Sequence, residues 1–143
     1  MSSESKTLLA LLLTWSYFCC LAQGQSFGAI GQSLFQKLES SENIQDSIDT
    51  YNDISFNYRR TDPKKTMKYA DIAIRLGQSV GYTKGLAYAY KNKGIAYYKL
   101  GLKRDSTIFF YEQAIAYAER ADDYYSVVAC KNNIGLVQSD YLE

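Results

Sequence analysis

The sequence contains no histidine. That absence removes the commonest general base, the commonest zinc ligand and any histidine phosphorelay role. Proline and tryptophan occur once each in 143 residues. With so few breakers, long periodic runs favour an all-helical chain. Of three cysteines, Cys19 and Cys20 fall in an apolar leader, which leaves Cys130 alone. One cysteine makes neither an intrachain disulfide nor a metal site. Set among Val127, Val128 and Ala129, it reads as an inert buried thiol. Excess charge is missing too. A formal net charge of +1 offers no concentrated basic stripe, so there is no case for nucleic acid as a partner. No phosphate-cradling loop, nucleophile–base pair or spaced ligand cluster appears. The chain therefore reads as non-enzymatic, with no cofactor and no metal.

What is abundant is tyrosine, with 14 residues. Its flat apolar ring and polar tip suit helix–helix seams and binding grooves alike. Hydrophobic content of 47% and charge of 22% argue for a globular protein rather than a disordered one, and the length suits one domain.

Residues 1–24 have the parts of a secretory signal peptide. Lys6 and the amino terminus supply positive charge, and Thr7 to Leu21 form the apolar region. Ala22 and Gly24 put small residues where a signal peptidase inspects, so Gln25 is the expected mature start. The apolar run is shorter than the roughly 20 residues a spanning helix needs. Tyr17 and Phe18 are too bulky to precede a lipidated cysteine. An uncleaved anchor is the alternative; export to the periplasm or out of the cell is the expectation, with no membrane role beyond the export signal. Residues 25–41 carry a short amphipathic piece, with Ile30, Leu34, Phe35 and Leu38 at helical spacing. It either caps the array that comes next or serves as a partly folded linker.

Five helices are expected after that. The first begins after Ser41 as its cap, with Ile44, Ile48, Tyr51, Ile54 and Tyr58 on one stripe. Asp62-Pro63 starts the second as N-cap and first residue, and Gly77 to Gly81 ends it. The third runs from about Thr83 to Leu100 and stops at Gly101. Asp105 caps the fourth, which carries Ile108, Tyr111, Ala114, Ile115 and Ala118. Asp122 or Asp123 caps the fifth, and capping explains that acidic pair without a cation site.

Gly94 and Gly135 stand 41 residues apart, as do Ala73-Ile74 and Ala114-Ile115, and Asn92 and Asn133; Asn52 precedes Asn92 by 40. A fixed period with two helices per unit is the mark of a helical solenoid. A mid-helix glycine costs about 1 kcal/mol against alanine, so Gly94 needs a packing reason. The paired helix lying directly on its backbone supplies one, with Tyr90, Tyr97 and Tyr111 as core.

These residues resemble the tetratricopeptide repeat family. Tyr90, Gly94 and Tyr97 match its first helix, and Tyr111 and Ala114 its second. Lys93 and Thr107 depart from the family's Leu and Ala, and Ile54 replaces the glycine of the first unit. The period exceeds the family's usual 34 or so and is similar to its lengthened repeats. HEAT-type repeats share the period without explaining the Gly-x-x-Tyr spacing. The resemblance implies an all-α, TPR-like helical-hairpin solenoid of about two and a half repeats in a right-handed superhelix, over 42–81, 82–121 and a partial 122–143. A leader before such units also resembles exported bacterial sensor proteins, whose kinase or transcription-regulator output is not in this chain.

The same resemblance implies that Asn52, Asn92 and Asn133 face a concave groove, where each carboxamide holds the backbone of a bound peptide or protein segment. Lys91, Tyr88 and Tyr98 share that face. Lys91 offers a point charge for a carboxylate, and the tyrosines offer cover for apolar side chains. The alternative is that these are ordinary solvated helix residues. The fifth helix leaves Tyr125, Val128 and Leu136 without full cover, which self-association through that C-terminal helix or a longer chain would supply.

Overall fold

In the computed structural model of the protein, residues 32–140 are described. The expected leader, the start of the 25–41 segment and residues 141–143 lie outside them. Residues 32–39 are helical. The chain divides into two compact units after Gln36. The unit from Lys37 onward carries α1 (Ile44–Tyr58), α2 (Pro63–Val80), α3 (Thr83–Lys99), α4 (Arg104–Arg120) and α5 (Tyr124–Ser139). Among the described residues there is no strand, and that part of the chain is all-α.

The helix ends follow local chemistry. Asp62 Oδ1 accepts the Lys65 N–H at 3.0 Å, with Pro63 opening α2. That satisfies one of the free amides of a first turn. Gly81 closes the helix at φ +66°, a left-handed turn that residues with a Cβ resist. Asp123 caps α5 by accepting the Ser126 N–H at 3.1 Å. Two starts differ from expectation. Asn43, not Ser41, caps α1, its Oδ1 accepting the Asp46 N–H at 2.9 Å. Lys103 precedes α4, leaving Asp105 inside the first turn, where its charge meets the positive helix end.

Each helix packs on its successor, and in addition α1 packs on α3 and α3 on α5. The backbones of α2 and α4 do not approach one another in this way. The odd-numbered helices thus share one continuous face. The core follows the same serial order. Ile48, Ala73, Ile74, Leu86 and Ala89 form one buried cluster, Ala87, Ala118 and Val127 a second, and Tyr111, Ala114, Cys130 and Val137 a third. Small alanines at these seams let backbones come close, and tyrosines fill the flanks. Tyr90 stacks on Tyr117 with centroids 5.5 Å apart, and Tyr97 meets Phe110 edge-on at 4.5 Å.

At Gly94 the Tyr111 side chain of α4 packs directly on the α3 backbone. A Cβ there would lie 2.8 Å from two carbons of the Tyr111 ring, which is itself 1% exposed. Its counterpart Gly135 has no neighbour within 4 Å of the equivalent point. The same position is a filled seat in α3 and an open one in α5. Accordingly Tyr125, Val128 and Leu136 of α5 stay largely exposed. No helix among the described residues is long and apolar enough to cross a membrane.

Candidate functional site

A cavity of about 390 Å³ opens on the shared face of the odd-numbered helices. From α1 come Asn52, Asp53 and Phe56; from α3, Tyr88, Lys91, Asn92 and Ile95; from α5, Tyr125, Ala129 and Asn133. Neither α2 nor α4 contributes a wall. Five of the six residues expected at the site, Asn52, Tyr88, Lys91, Asn92 and Asn133, therefore meet in one place. Tyr98 does not. It lies about two turns beyond Lys91 and its hydroxyl bonds the Asp140 carboxylate at the end of α5, so it serves as a tie between helices.

The asparagines are used differently from the expected ladder. Asn52 Nδ2 donates to the Gly85 carbonyl at 2.9 Å, and Asn92 Nδ2 donates to the Asn52 carbonyl at 3.1 Å. A helical carbonyl has a second lone pair, so it can accept these bonds besides its own helix bond. The two side chains therefore lace α1 to α3, each with one of its two Nδ2 hydrogens engaged in the tie. Both are buried, and their Oδ1 atoms have no partner and no exposure. Sealed acceptors of this kind are costly. Asn133 is half-buried, with its carboxamide in hydrogen-bonding reach of the Tyr111 hydroxyl.

Lys91 is the unusual group. It is 7% exposed, yet it forms no ion pair among the described residues. Its Nζ donates to Ser126 Oγ at 3.3 Å and sits 4.2 Å from the centre of the Tyr88 ring. Burial holds its pKa below the ordinary lysine value, with Cys130 and Asp123 acting the other way. Ser126 in turn bonds Asp123, and that bond is the main reason the Asp123 carboxyl is held below its usual value. A charge is thus held at the cavity wall by a hydroxyl and a ring face, with Asp123 acting on it at longer range and not as an ion pair. Asp53, at the same cavity, is engaged by Lys37 at 3.4 Å, both exposed.

Phe56, Ile95, Tyr125, Ala129 and Asp53 were not among the expected residues. A signal for four of them existed: Phe56, Ile95 and Ala129 stand three or four positions from Asn52, Asn92 and Asn133, and Tyr125 eight from Asn133, so they continue the same stripes. Cys130 lies just behind the wall, fully buried, and burial pushes its thiol up to about 11. No cluster of three or more metal-ligating side chains occurs among the described residues. No protein-family model, curated protein or solved structure matches the chain.

Proposed function

We propose that this protein is an exported, non-enzymatic TPR-like scaffold, and that the face of α1, α3 and α5 binds a peptide or protein segment. In this reading the hairpins α1–α2 and α3–α4 and the lone α5 are two and a half repeats of a right-handed superhelix, with the odd-numbered helices on its concave side. The observation that carries it is the cavity, whose walls come from those three helices alone. Rigid helices hold Tyr88, Phe56 and Tyr125 as apolar platforms and Asn133 and Lys91 as polar contacts. A surface ordered in advance loses little entropy on binding, and extended or helical segments are the usual occupants of such grooves. Asn52 and Asn92 serve here to brace the face, and the guest meets mainly the side chains around them.

Selection of a displayed peptide library on the folded protein, followed by titration against variants, tests this. Tyr88→Ala and Asn133→Ala should each weaken a selected peptide by about tenfold, the scale of one lost buried contact. Glu112→Ala, exposed on α4, should leave it unchanged. Peptides indifferent to both cavity variants would sink the proposal.

A second reading has one observation in its favour. The cavity touches three successive odd-numbered helices, so an occupant would fix their spacing. That suits the sensory input region of a TPR-containing signalling protein, in which ligand binding shifts the packing of the array.

A further inference from the structure

We propose that the cavity is a small-molecule site for an apolar monocarboxylic acid, its carboxylate received by Lys91 and its body lying against Phe56, Ile95 and Tyr125. The inference takes its location from the binding face argued above. It adds an occupant of a different class from a peptide segment.

The chemistry selects the ligand by exclusion. Lys91 is nine-tenths buried and has no carboxylate in ion-pairing contact among the described residues. A buried ammonium in contact with a hydroxyl and a ring face, and with Asp123 only at longer range, keeps much of its desolvation cost, and an anion at the wall would offset it. A cationic ligand would meet like charge. A neutral apolar ligand would shut the ammonium further from water and add no counter-charge. A phosphate or other polyanion has too few partners, since Lys91 is the one cation among the lining residues and Asp53 is there too. One negative charge on an otherwise apolar body remains. The volume, about 390 Å³, falls at the low end of the roughly 300–1,000 Å³ seen for small-molecule pockets. Carboxylate oxygens can accept from Nζ while the aromatic rings cover the body, which is the usual division of labour in such pockets.

Calorimetric or ligand-observed NMR titration with 3-phenylpropionate and 4-methylpentanoate on the wild-type protein is the test. Saturable binding is expected. The matched amide, 3-phenylpropionamide, should bind about tenfold more weakly or worse, the scale of a charge-assisted bond lost. Lys91→Met, which keeps the aliphatic stem, should lose the acid to the same extent, while Lys91→Arg should retain most of the affinity. Ala129→Phe, which fills the cavity from α5, guards against a folding artefact of the lysine variant and should abolish binding. Equal affinity for acid and amide, undiminished binding to folded Lys91→Met, or no saturable binding of either acid at millimolar concentration would overturn the assignment. So would binding of a pentapeptide ending in phenylalanine when neither free acid binds, because the carboxylate site would then belong to a chain terminus. A library-selected peptide that still binds Lys91→Met would leave the peptide-binding face standing while the acid site fails.

Discussion

Alanine at Gly94 and at Gly135 should move stability in opposite directions, although the two glycines occupy the same place 41 residues apart. Both lie inside helices with ordinary backbone angles, so each substitution gains helix propensity of about 1 kcal/mol. At Gly135 nothing lies within 4 Å of the new Cβ. The variant should therefore be stabilised by about 0.5–1 kcal/mol. At Gly94 the Cβ would stand 2.8 Å from Cδ1 and Cε1 of Tyr111 and 3.1 Å from Cζ. That ring is packed in the core with Ala114, Cys130 and Val137 and cannot swing aside cheaply. Overpacking of this kind costs about 1–3 kcal/mol. The net effect is a loss of up to about 2 kcal/mol once the propensity gain is subtracted. Since propensity cancels between the two sites, the difference between the variants isolates the seat of α4 on α3. Urea melts followed by far-ultraviolet circular dichroism measure it as a shift in midpoint at constant slope. In a domain near 100 residues each kcal/mol is about 4–8 °C in Tm. Gly94→Ala as stabilising as Gly135→Ala would refute the reasoning. A second check is Gly94→Ala combined with Tyr111→Leu, where coupling between the two sites should recover part of the loss.

Asn92→Ala should destabilise the fold by about 1 kcal/mol, the net worth of one internal hydrogen bond, because it cuts the tie to the Asn52 carbonyl; a melt no different from wild type would show that this tie does not hold α1 to α3. Asp123→Ala should cost about 1 kcal/mol as a lost N-cap. The Asp123 carboxyl is held below its usual value by Ser126, so its contribution is complete above the unfolded aspartate pKa of about 3.9 and lost as pH falls through the lower folded value. The stability gap between wild type and Asp123→Ala should therefore be flat at neutral pH and close in strong acid; a gap that closes above pH 5 would contradict the assignment. The Cys130 thiol, raised to about 11 and fully buried, should resist a thiol-specific reagent at pH 8 until urea unfolds the chain. Prompt reaction of the native protein would show that α5 opens readily.

The boundaries that carried a backbone constraint were legible in the chain. Asp62-Pro63 fixes φ and supplies a cap, Gly81 permits a left-handed turn, and Gly94 signals close approach. The two misplaced starts lacked such a constraint. Ser41 and Asn43 are both good caps, and the choice fell to the one whose oxygen sits three residues before Asp46. Asp105 is acidic near a helix start whether it caps or sits in the first turn. At the site, helical spacing put the asparagines on one face, and the structure keeps them there. Spacing says nothing of where an amide points. The Asn52 and Asn92 donors turn onto neighbouring carbonyls because a buried carboxamide without one would be worse off. Tyr98 shares its helix stripe with Tyr88 and Lys91, but the stripe runs past the cavity to Asp140, a partner 42 residues away that no local pattern reveals.

The measurement that tests the central claim most directly is amide chemical-shift mapping of the ¹⁵N-labelled protein during titration with a selected peptide. If the face of the odd-numbered helices is the recognition surface, the largest shifts will cluster on Asn52 to Phe56 of α1, Tyr88 to Ile95 of α3 and Tyr125 to Asn133 of α5. Shifts centred on α2 and α4, with those three stretches unmoved, would contradict it.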